Sequence, residues 1–492
     1  MGGGSSCNAT GGFGNQGCGS SGRAVASPRY RASSGEFPFN AALPTDFSGP
    51  PSILQGASPH LSGEDPMRLL VAQIGARRHY AVPRVLHGAG MLDRLVTDAC
   101  GDLFPWSLAD LVPAFLRRDA LSRLAARSSG LPRGKVTGLF IFTVSALLGP
   151  SRRKPGGNNI SWWLHRNRRF NELVIGKGFG SADGVYVFNG AGLEVLKEAK
   201  RLGLFRVLDQ TSAPMRHDAE LLISESERWP DWSTEADSIY NWLPMAEREE
   251  EEWQLADRII CGSEYVAEGI RVLGGPAKKS RVVPYPCDHG MQPPATEHVT
   301  PAEKQEKRCG QRSNNLMQSR TRSTAGLHIL FAGTLNLRKG LPYLHEAIRL
   351  FGAGRAKWRI VGPPAISRQA LAMLGRVAEV RGAVPRSEMV EHYAWADILV
   401  LPTISEGSAN VCYEALARAV PVITTPNAGS IVRDMIDGFI VPVRSPASIA
   451  EKLALLEGNP SLLQEMSLRA LERSREFTVN TYAFYLENAI KY

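Results

Sequence analysis

Polar and apolar positions divide this chain into stretches of very different character. Residues 1–66 are rich in Gly, Ser, Pro and Ala with little periodic apolar pattern, which predicts a disordered tail. Order is expected to begin at "MRLLVAQIG" (Met67–Gly75), a short apolar run closed by glycine. It is followed by "ARRHYAVPRVLHGAGMLDRLVTD", whose spacing predicts helix. "ADGVYVFN", "FRVLDQT", "RIICGS" and "SRVVPYPCD" read as strands, with "GAGLEVLKEAKRLG" and "EREEEEWQLAD" as helices among them. A strand–glycine–helix start and this alternation suit an open parallel sheet, so residues 67–289 are expected to form a Rossmann-like α/β domain.

Residues 290–326 are polar without apolar period and read as a linker or surface insertion. A second alternating series then begins. "LHILFAGTL", "KWRIVGPP", "ILVLPT", "VPVITTP" and "FIVPV" are predicted strands. "GLPYLHEAIRLF", "EMVEHYAWAD", "VCYEALARA", "SIVRDMIDG" and "PASIAEKLALLEG" are predicted helices. The series predicts a second doubly wound domain over residues 327–475, so the fold class is α/β with two Rossmann-like sheets.

Composition sharpens this picture at few points. At 492 residues the chain exceeds one core, and 43% hydrophobic with 21% charged residues suits soluble α/β material. No apolar run reaches the ~20 residues that span a bilayer, the longest being "VTGLFIFTVSALLG" (Val136–Gly149). Seven widely spaced cysteines with no C-x-x-C argue against a disulfide framework or zinc site and for a reducing, cytoplasmic compartment. The N-terminus lacks a signal-peptide core, and "MGGGSSCNAT" fits a loose myristoylation pattern.

The net charge of +9 is concentrated. Between 117 and 169 stand twelve basic residues, Arg117, Arg118, Arg123, Arg127, Arg133, Lys135, Arg152, Arg153, Lys154, Arg166, Arg168 and Arg169, opposed only by Asp119. With the apolar run and the pair Trp162–Trp163 inside it, the segment suits peripheral contact with an anionic membrane surface, or a solvated basic face around a buried helix. A nucleic-acid partner is not expected.

Candidate chemistry centres on "PTISEGSANVCYEALARAVPVITTPNAG", Pro402–Gly429. Glu406 lies in a small-residue loop after a strand, and Glu414, with seven residues between them, lies in a helix. Ligands of open α/β sheets bind at the C-terminal strand ends. Gly407, Ser408 and Ala409 let backbone approach a ligand, and a helix beginning near Asn410 offers N–H groups to an anion. Two separated carboxylates can each hold a polyol, with the anion between them: sugar, diphosphate and ribose, in the order of a nucleotide sugar. "FAGTLNLRKGLPYL" brings Gly333 and Thr334 to the same edge, then Arg338 and Lys339, cations able to clamp a diphosphate. A glycosidase pair would flank one bond about 5–9.5 Å apart, which this layout does not suggest. Neither domain start carries G-x-G-x-x-G, which disfavours a dinucleotide oxidoreductase.

The E-x7-E spacing, the "RKG" loop and "YEALARAVPVITTPNAGS…DGFIVPV" resemble the retaining glycosyltransferases of family 4, which have the GT-B fold. The resemblance covers Leu327–Gly458 and extends more weakly over Met67–Asp288 through "ADRIICGSEYV" and "SRVVPYPCD". It implies metal-independent transfer from a nucleoside-diphosphate sugar to a glycan or lipid-linked acceptor, with anomeric configuration kept and no cofactor or metal. Carried over, Lys339 and Arg338 would bind the diphosphate and Glu406 the sugar hydroxyls beside the anomeric carbon. Glu414 would hold the ribose, the backbone of Ser408, Ala409, Asn410 and Val411 would cradle sugar and phosphate, and Val384 would lie against the base.

Thr334 stands where many relatives have Arg, and one Gly75 where they often have a pair. Asp209 and Gln210 stand where relatives often have His, which makes Gly75, Asp209 and Gln210 the acceptor-side candidates. "REFTVNTYAFYLENAIKY" looks like the helix that, in this fold, crosses back to the first domain from 476–492. The rival readings are a GT-B sugar-phosphate synthase with a soluble acceptor and a catalytically silent module of the same fold.

Overall fold

The computed structural model describes residues 66–103, 127–148, 159–233, 242–287 and 326–492. The proposed disordered tail with its myristoylation pattern, apart from Pro66, and all of the polar 290–326 stretch but its last residue, lie outside the described residues. So do Arg117, Arg118, Asp119, Arg123, Arg152, Arg153 and Lys154.

The first sheet contains β1 (Leu69–Gln73), β2 (Leu92–Thr97), β3 (Val136–Gly138), β4 (Gly184–Phe188), β5 (Phe205–Gln210), β6 (Arg258–Cys261) and β7 (Ser280–Val282). It is seven-stranded, parallel in every pairing, and ordered β3-β2-β1-β4-β5-β6-β7. The second contains β8 (Leu327–Ala332), β9 (Ala356–Val361), β10 (Glu379–Arg381), β11 (Ile398–Leu401), β12 (Val422–Thr424) and β13 (Gly438–Ile440). It is six-stranded, also parallel, and ordered β10-β9-β8-β11-β12-β13. Strand order reverses between β1 and β4 in one sheet and between β8 and β11 in the other. These switch points leave a crevice beyond the strand ends, where open α/β sheets bind ligands.

Continuous apolar strands such as β1 and β11 are buried along their whole length because helices cover both faces. The C-terminal helix Val479–Lys491 does not belong to the second sheet. Its Tyr482, Leu486 and Ile490 share one core with Leu69 and Val71 of β1 and Val85 of the helix Ala81–Gly88. Thr478 caps it by accepting from the Thr481 N–H at 3.1 Å.

The structure corrects the predicted elements in two places. The helix expected from Ala76 to Asp98 is interrupted: a helix occupies only Ala81–Gly88, the chain turns at Gly90 with φ +72°, and Leu92–Thr97 becomes β2. "LDRLVT" pairs with β1 at both ends, with one register shift that leaves out Asp93, so tertiary pairing outweighs the helical spacing that runs through it. The helix expected over "SIVRDMIDG" is absent. The Asp437 carboxylate accepts from the Arg433 N–H at 2.7 Å and Met435 N–H donates to the Gly438 carbonyl at 2.9 Å, closing a turn that feeds β13. Helices Met215–Arg228 and Arg368–Gly375 and strand β10 are elements the apolar pattern left unread.

Candidate functional site

On the second sheet the site is built by three loops stitched backbone to backbone. Asn336 opens the Leu337–Lys339 turn by accepting the Lys339 N–H at 3.0 Å. Gly340 closes it at φ +72°, where any Cβ would run into the Pro402 carbonyl, so the "RKG" glycine is a steric requirement. The Arg338 carbonyl then accepts from Ile404 N–H at 2.8 Å and from the Thr403 hydroxyl at 3.0 Å. Asn427, beyond β12, donates its amide to the Ile404 carbonyl at 2.7 Å. Hydrogen bonds therefore tie the loops after β8, β11 and β12 to one another.

That frame holds three charges together. The Glu406 carboxylate pairs with the Lys339 ammonium through Oε2 and with the Arg338 guanidinium at 3.2 Å through Oε1. Burial alone would raise the Glu406 carboxyl, but Lys339 and Arg338 hold it below its ordinary value, so it is an ionised acceptor at neutral pH. Burial works against the Arg338 charge, and Glu406 and Asp218 more than restore it. Gly333, at φ +139°, lies over the Lys339 side chain: a Cβ there would sit 3.5 Å from Lys339 Cε. Thr334 beside it is half-buried.

Glu414 is held apart from this triad. It accepts from the Tyr393 hydroxyl at 2.8 Å and from Arg386 at 3.4 Å. Arg386 and the half-buried Val384 come from the loop after β10. Between the two acids, Ser408 is buried, its hydroxyl bonded to Tyr413 at 2.9 Å and donating to the Gly429 carbonyl at 3.0 Å. The Ala409 N–H is already committed to the Ala428 carbonyl at 3.0 Å. Asn410 and Val411 begin the helix Asn410–Leu416.

The first sheet reaches the triad through groups the sequence reading did not single out. Ser263 donates to the Gly407 carbonyl, and Tyr265 donates to the Ser405 hydroxyl at 3.0 Å. Ser405 in turn donates to Asp218, whose carboxyl burial raises to about 6 against the pull of Arg338. A Cβ at Gly407 would overlap the Thr211 carbonyl, so the two strand-end loops meet with no room for a side chain. The signal for these residues was their place just after a strand or at a helix start, not a motif.

Of the acceptor-side candidates, Gly75 lines a cavity of about 370 Å³ at the strand ends of the first sheet, with Asp98, Asn189 and Thr211. Asp209 and Gln210 do not face it. Asp209 is fully buried, taking the Tyr186 hydroxyl at 2.7 Å and the Arg78 guanidinium at 3.2 Å. Gln210 is fully buried between Trp253, at 2.9 Å, and Glu249, at 2.8 Å. Both are inward residues of β5 whose polar atoms are used up supporting the loop above.

The basic segment also divides. Lys135 is tied to the carbonyls of Leu92 and Asp93, both at 3.1 Å. Arg166 stacks against Trp162 and Trp163 and lines the cavity with Arg127. Arg133, Arg168, Arg169, Phe140 and Ile141 face solvent.

A switch-point carboxylate gripped by two cations from the adjoining loop coincides with a sequence match. Residues 326–459 match the family glycosyl transferases group 1. That group 1 match contains the Arg338–Lys339–Glu406 triad and Glu414. A D-inositol 3-phosphate glycosyltransferase of Xylanimonas cellulosilytica is 27% identical over 244 residues, 46% of this chain and 55% of the relative, so the match spans about half of that relative's length.

Among solved structures, sucrose-phosphate synthase from Thermosynechococcus elongatus superposes with TM-score 0.56 at 14% identity, covering 86% of this chain and 98% of that one. Anabaena Alr3699/HepE in complex with UDP and glucose gives TM-score 0.54 at 12% identity, over 86% and 99%. The two-sheet architecture is that of GT-B glycosyltransferases.

Proposed function

We propose that this chain is a retaining, metal-independent glycosyltransferase that moves a sugar from a nucleoside-diphosphate sugar to an acceptor, in glycan or glycoconjugate synthesis. The observation that carries the reading is the ion triad of Arg338, Lys339 and Glu406 at the β8–β11 switch point, inside the group 1 match. Two fixed cations suit a diphosphate, and an ionised carboxylate beside them suits sugar hydroxyls, since it can only accept hydrogen bonds. As the bond from C1 to the diphosphate oxygen breaks, its electron pair leaves with the diphosphate. Lys339 and Arg338 stabilise that growing charge from positions already set. The acceptor oxygen bonds to C1, and its proton leaves with the released nucleoside diphosphate.

Glu414 keeps lone pairs for the ribose hydroxyls beyond its bonds to Tyr393 and Arg386, and Val384 offers an apolar edge to the base. The β1–β4 switch point of the opposite sheet supplies the acceptor side. Contact between its solvent-facing arginines and an anionic membrane remains part of this reading for a lipid-linked acceptor, with the protein on the cytoplasmic face. A panel of nucleoside diphosphates and their sugars, followed by melting temperature, tests the reading, because a ligand of the folded state raises its melting point by mass action. At least one nucleotide should shift wild-type protein in EDTA and fail to shift Lys339→Ala. No shift from any nucleotide removes the donor site from the account.

A further inference from the structure

One helix that chain order gives to the first sheet is docked against the second. Met215–Arg228 follows β5 and precedes β6. Asp218, Leu222, Glu225 and Trp229 recur at i, i+4, i+7 and i+11, the spacing of one continuous helix face. Leu222 and Trp229 pack on the core that holds Ile329, Leu330 and Leu399. Asp218 accepts from the Ser405 hydroxyl. Glu225 is fully buried and accepts from the Tyr343 hydroxyl at 2.8 Å and from Arg444 Nε at 2.6 Å. Just beyond the helix, the carbonyls of Asp231 and Trp232 accept from the Ser367 hydroxyl and N–H. Apolar contact is non-directional, whereas two carboxylates, each bonded to a particular group opposite, also fix one register.

The two carboxylates touch the frame of the triad. Ser405 precedes Glu406, and its carbonyl accepts from the Arg338 guanidinium at 3.2 Å. Tyr343 lies in the first turn of the helix Leu341–Phe351, which opens directly after the Leu337–Lys339 turn and Gly340. Met215–Arg228 packs on that same turn. Arg444, the second partner of Glu225, stands at φ +65°, a conformation that a non-glycine residue holds only when its surroundings enforce it. The other end of the helix is fastened to the first sheet. Glu249 accepts the Met215 N–H at 2.7 Å, and Arg216 makes a two-point pair with Glu250 at 2.5 and 2.9 Å. Met215 also lines the cavity at the strand ends of the first sheet. About four turns of helix therefore reach from one strand-end region to the other.

We propose that Met215–Arg228 registers the donor loops against the first sheet, with Asp218 and Glu225 as positioning residues of the donor site. Asp218 acts through Ser405 on Glu406 and Arg338, and Glu225 acts through Tyr343 on the turn that carries Arg338 and Lys339. The proposal rests on the glycosyltransferase reading and adds the element that joins its two sides.

Hydrogen exchange of the full chain, followed by mass spectrometry with saturating UDP, GDP, ADP and dTDP in turn, tests it. A nucleotide that binds should slow exchange at 336–341. It should also slow exchange in 215–233 by at least about threefold, because a helix bonded to the donor loops shares their stabilisation. Asp218→Ala and Tyr343→Phe, each saturated with the same nucleotide, should lose the slowing in 215–233 and keep it at 336–341. Asp218→Asn retains an acceptor for the Ser405 hydroxyl and should restore the slowing in 215–233. A helix that only packs would change the melting temperature of these variants without linking the nucleotide to 215–233. Slowing at 336–341 with none in 215–233 of the wild type, or slowing in 215–233 that survives in both Asp218→Ala and Tyr343→Phe, overturns the proposal and leaves the transferase reading intact. No slowing anywhere with any of these nucleotides removes the donor site, and the proposal falls with it.

Discussion

The strand ends of the two sheets solve different problems. On the second sheet the charges of the triad touch one another: Glu406 faces Lys339 and Arg338, and the loops that carry them are bonded to one another through Arg338, Ile404 and Asn427. On the first sheet the cavity places Arg77, Arg127 and Arg166 beside Asp98, and its walls come from the loops after β1, β2, β4 and β5 and from the helix Asn159–Gly176. A site of charges already in contact, on loops bonded to one another, suits a ligand whose chemistry is fixed. A site assembled from four loops and a helix suits a partner that can differ between proteins of one architecture.

The largest expected effect lies on the side of the triad. Lys339→Ala should lower turnover by roughly 10²–10³-fold, the scale for losing one charge-stabilising donor. Glu406→Gln should lower turnover comparably yet leave free nucleoside-diphosphate affinity unchanged or tighter, because it removes a carboxylate that competes for the same two cations. Kinetics and calorimetry on both variants check this, and equal losses of nucleotide affinity would break the assignment.

Next comes the seam between the regions. Gly407→Ala places a methyl against the Thr211 carbonyl and should part the two loops. Turnover should fall roughly 10–10²-fold, since small misplacements weaken alignment steeply. Free nucleotide affinity, measured alongside, should stay within about threefold.

The two sides should also differ in their response to pH. Burial raises Glu249 to about 7 and Glu252 to about 8, and both carboxyls support the strand-end loops of the first sheet. Their folded values lie above the unfolded one, so the stability they contribute is full below about pH 4.5 and is lost as pH rises through 7 and 8. Melting temperature should fall between about pH 5 and pH 8 and level off above that, with a limiting slope of about 1.4 kcal/mol per pH unit for each proton. Glu249→Gln should flatten the fall. Glu406 has the opposite sign: its value is lowered, so its contribution stands at neutral pH and is lost in acid.

The smallest effect is expected at the surface. Arg168 and Arg169 are exposed and pair with Glu194 and Glu172. Serine at either position should change unfolding free energy by less than about 1 kcal/mol and leave turnover unaltered.

The same contrast explains what the sequence made legible. The proposed donor side stood out because its residues are local: "LRKG" and "SEGSANVCYE" each hold several candidate groups within one loop and the helix after it. The cavity of the first sheet did not, because Asp98 sits at the end of a strand hidden inside a helix-like pattern. Arg127 and Arg166, visible only as members of a basic run, turn out to face inward with Asp98. Asp209 and Gln210 occupied the right strand end but point below it, since alternation along β5 sends its last side chains into the layers beneath. The fold itself was legible wherever apolar strands ended in glycine, and was lost at β10 and over "SIVRDMIDG", where pairing and turn hydrogen bonds decide the backbone.

The central claim is sugar transfer from a nucleotide at the Glu406 triad, and product analysis tests it most directly. Full-length protein is incubated with a panel of nucleotide sugars and glucose 6-phosphate, with and without EDTA, and followed by NMR. The account predicts equal amounts of nucleoside diphosphate and a new glycoside, with the donor's anomeric configuration kept, in both conditions and lost in Glu406→Gln. A product of inverted configuration, transfer that EDTA abolishes, or transfer undiminished in Glu406→Gln would contradict it.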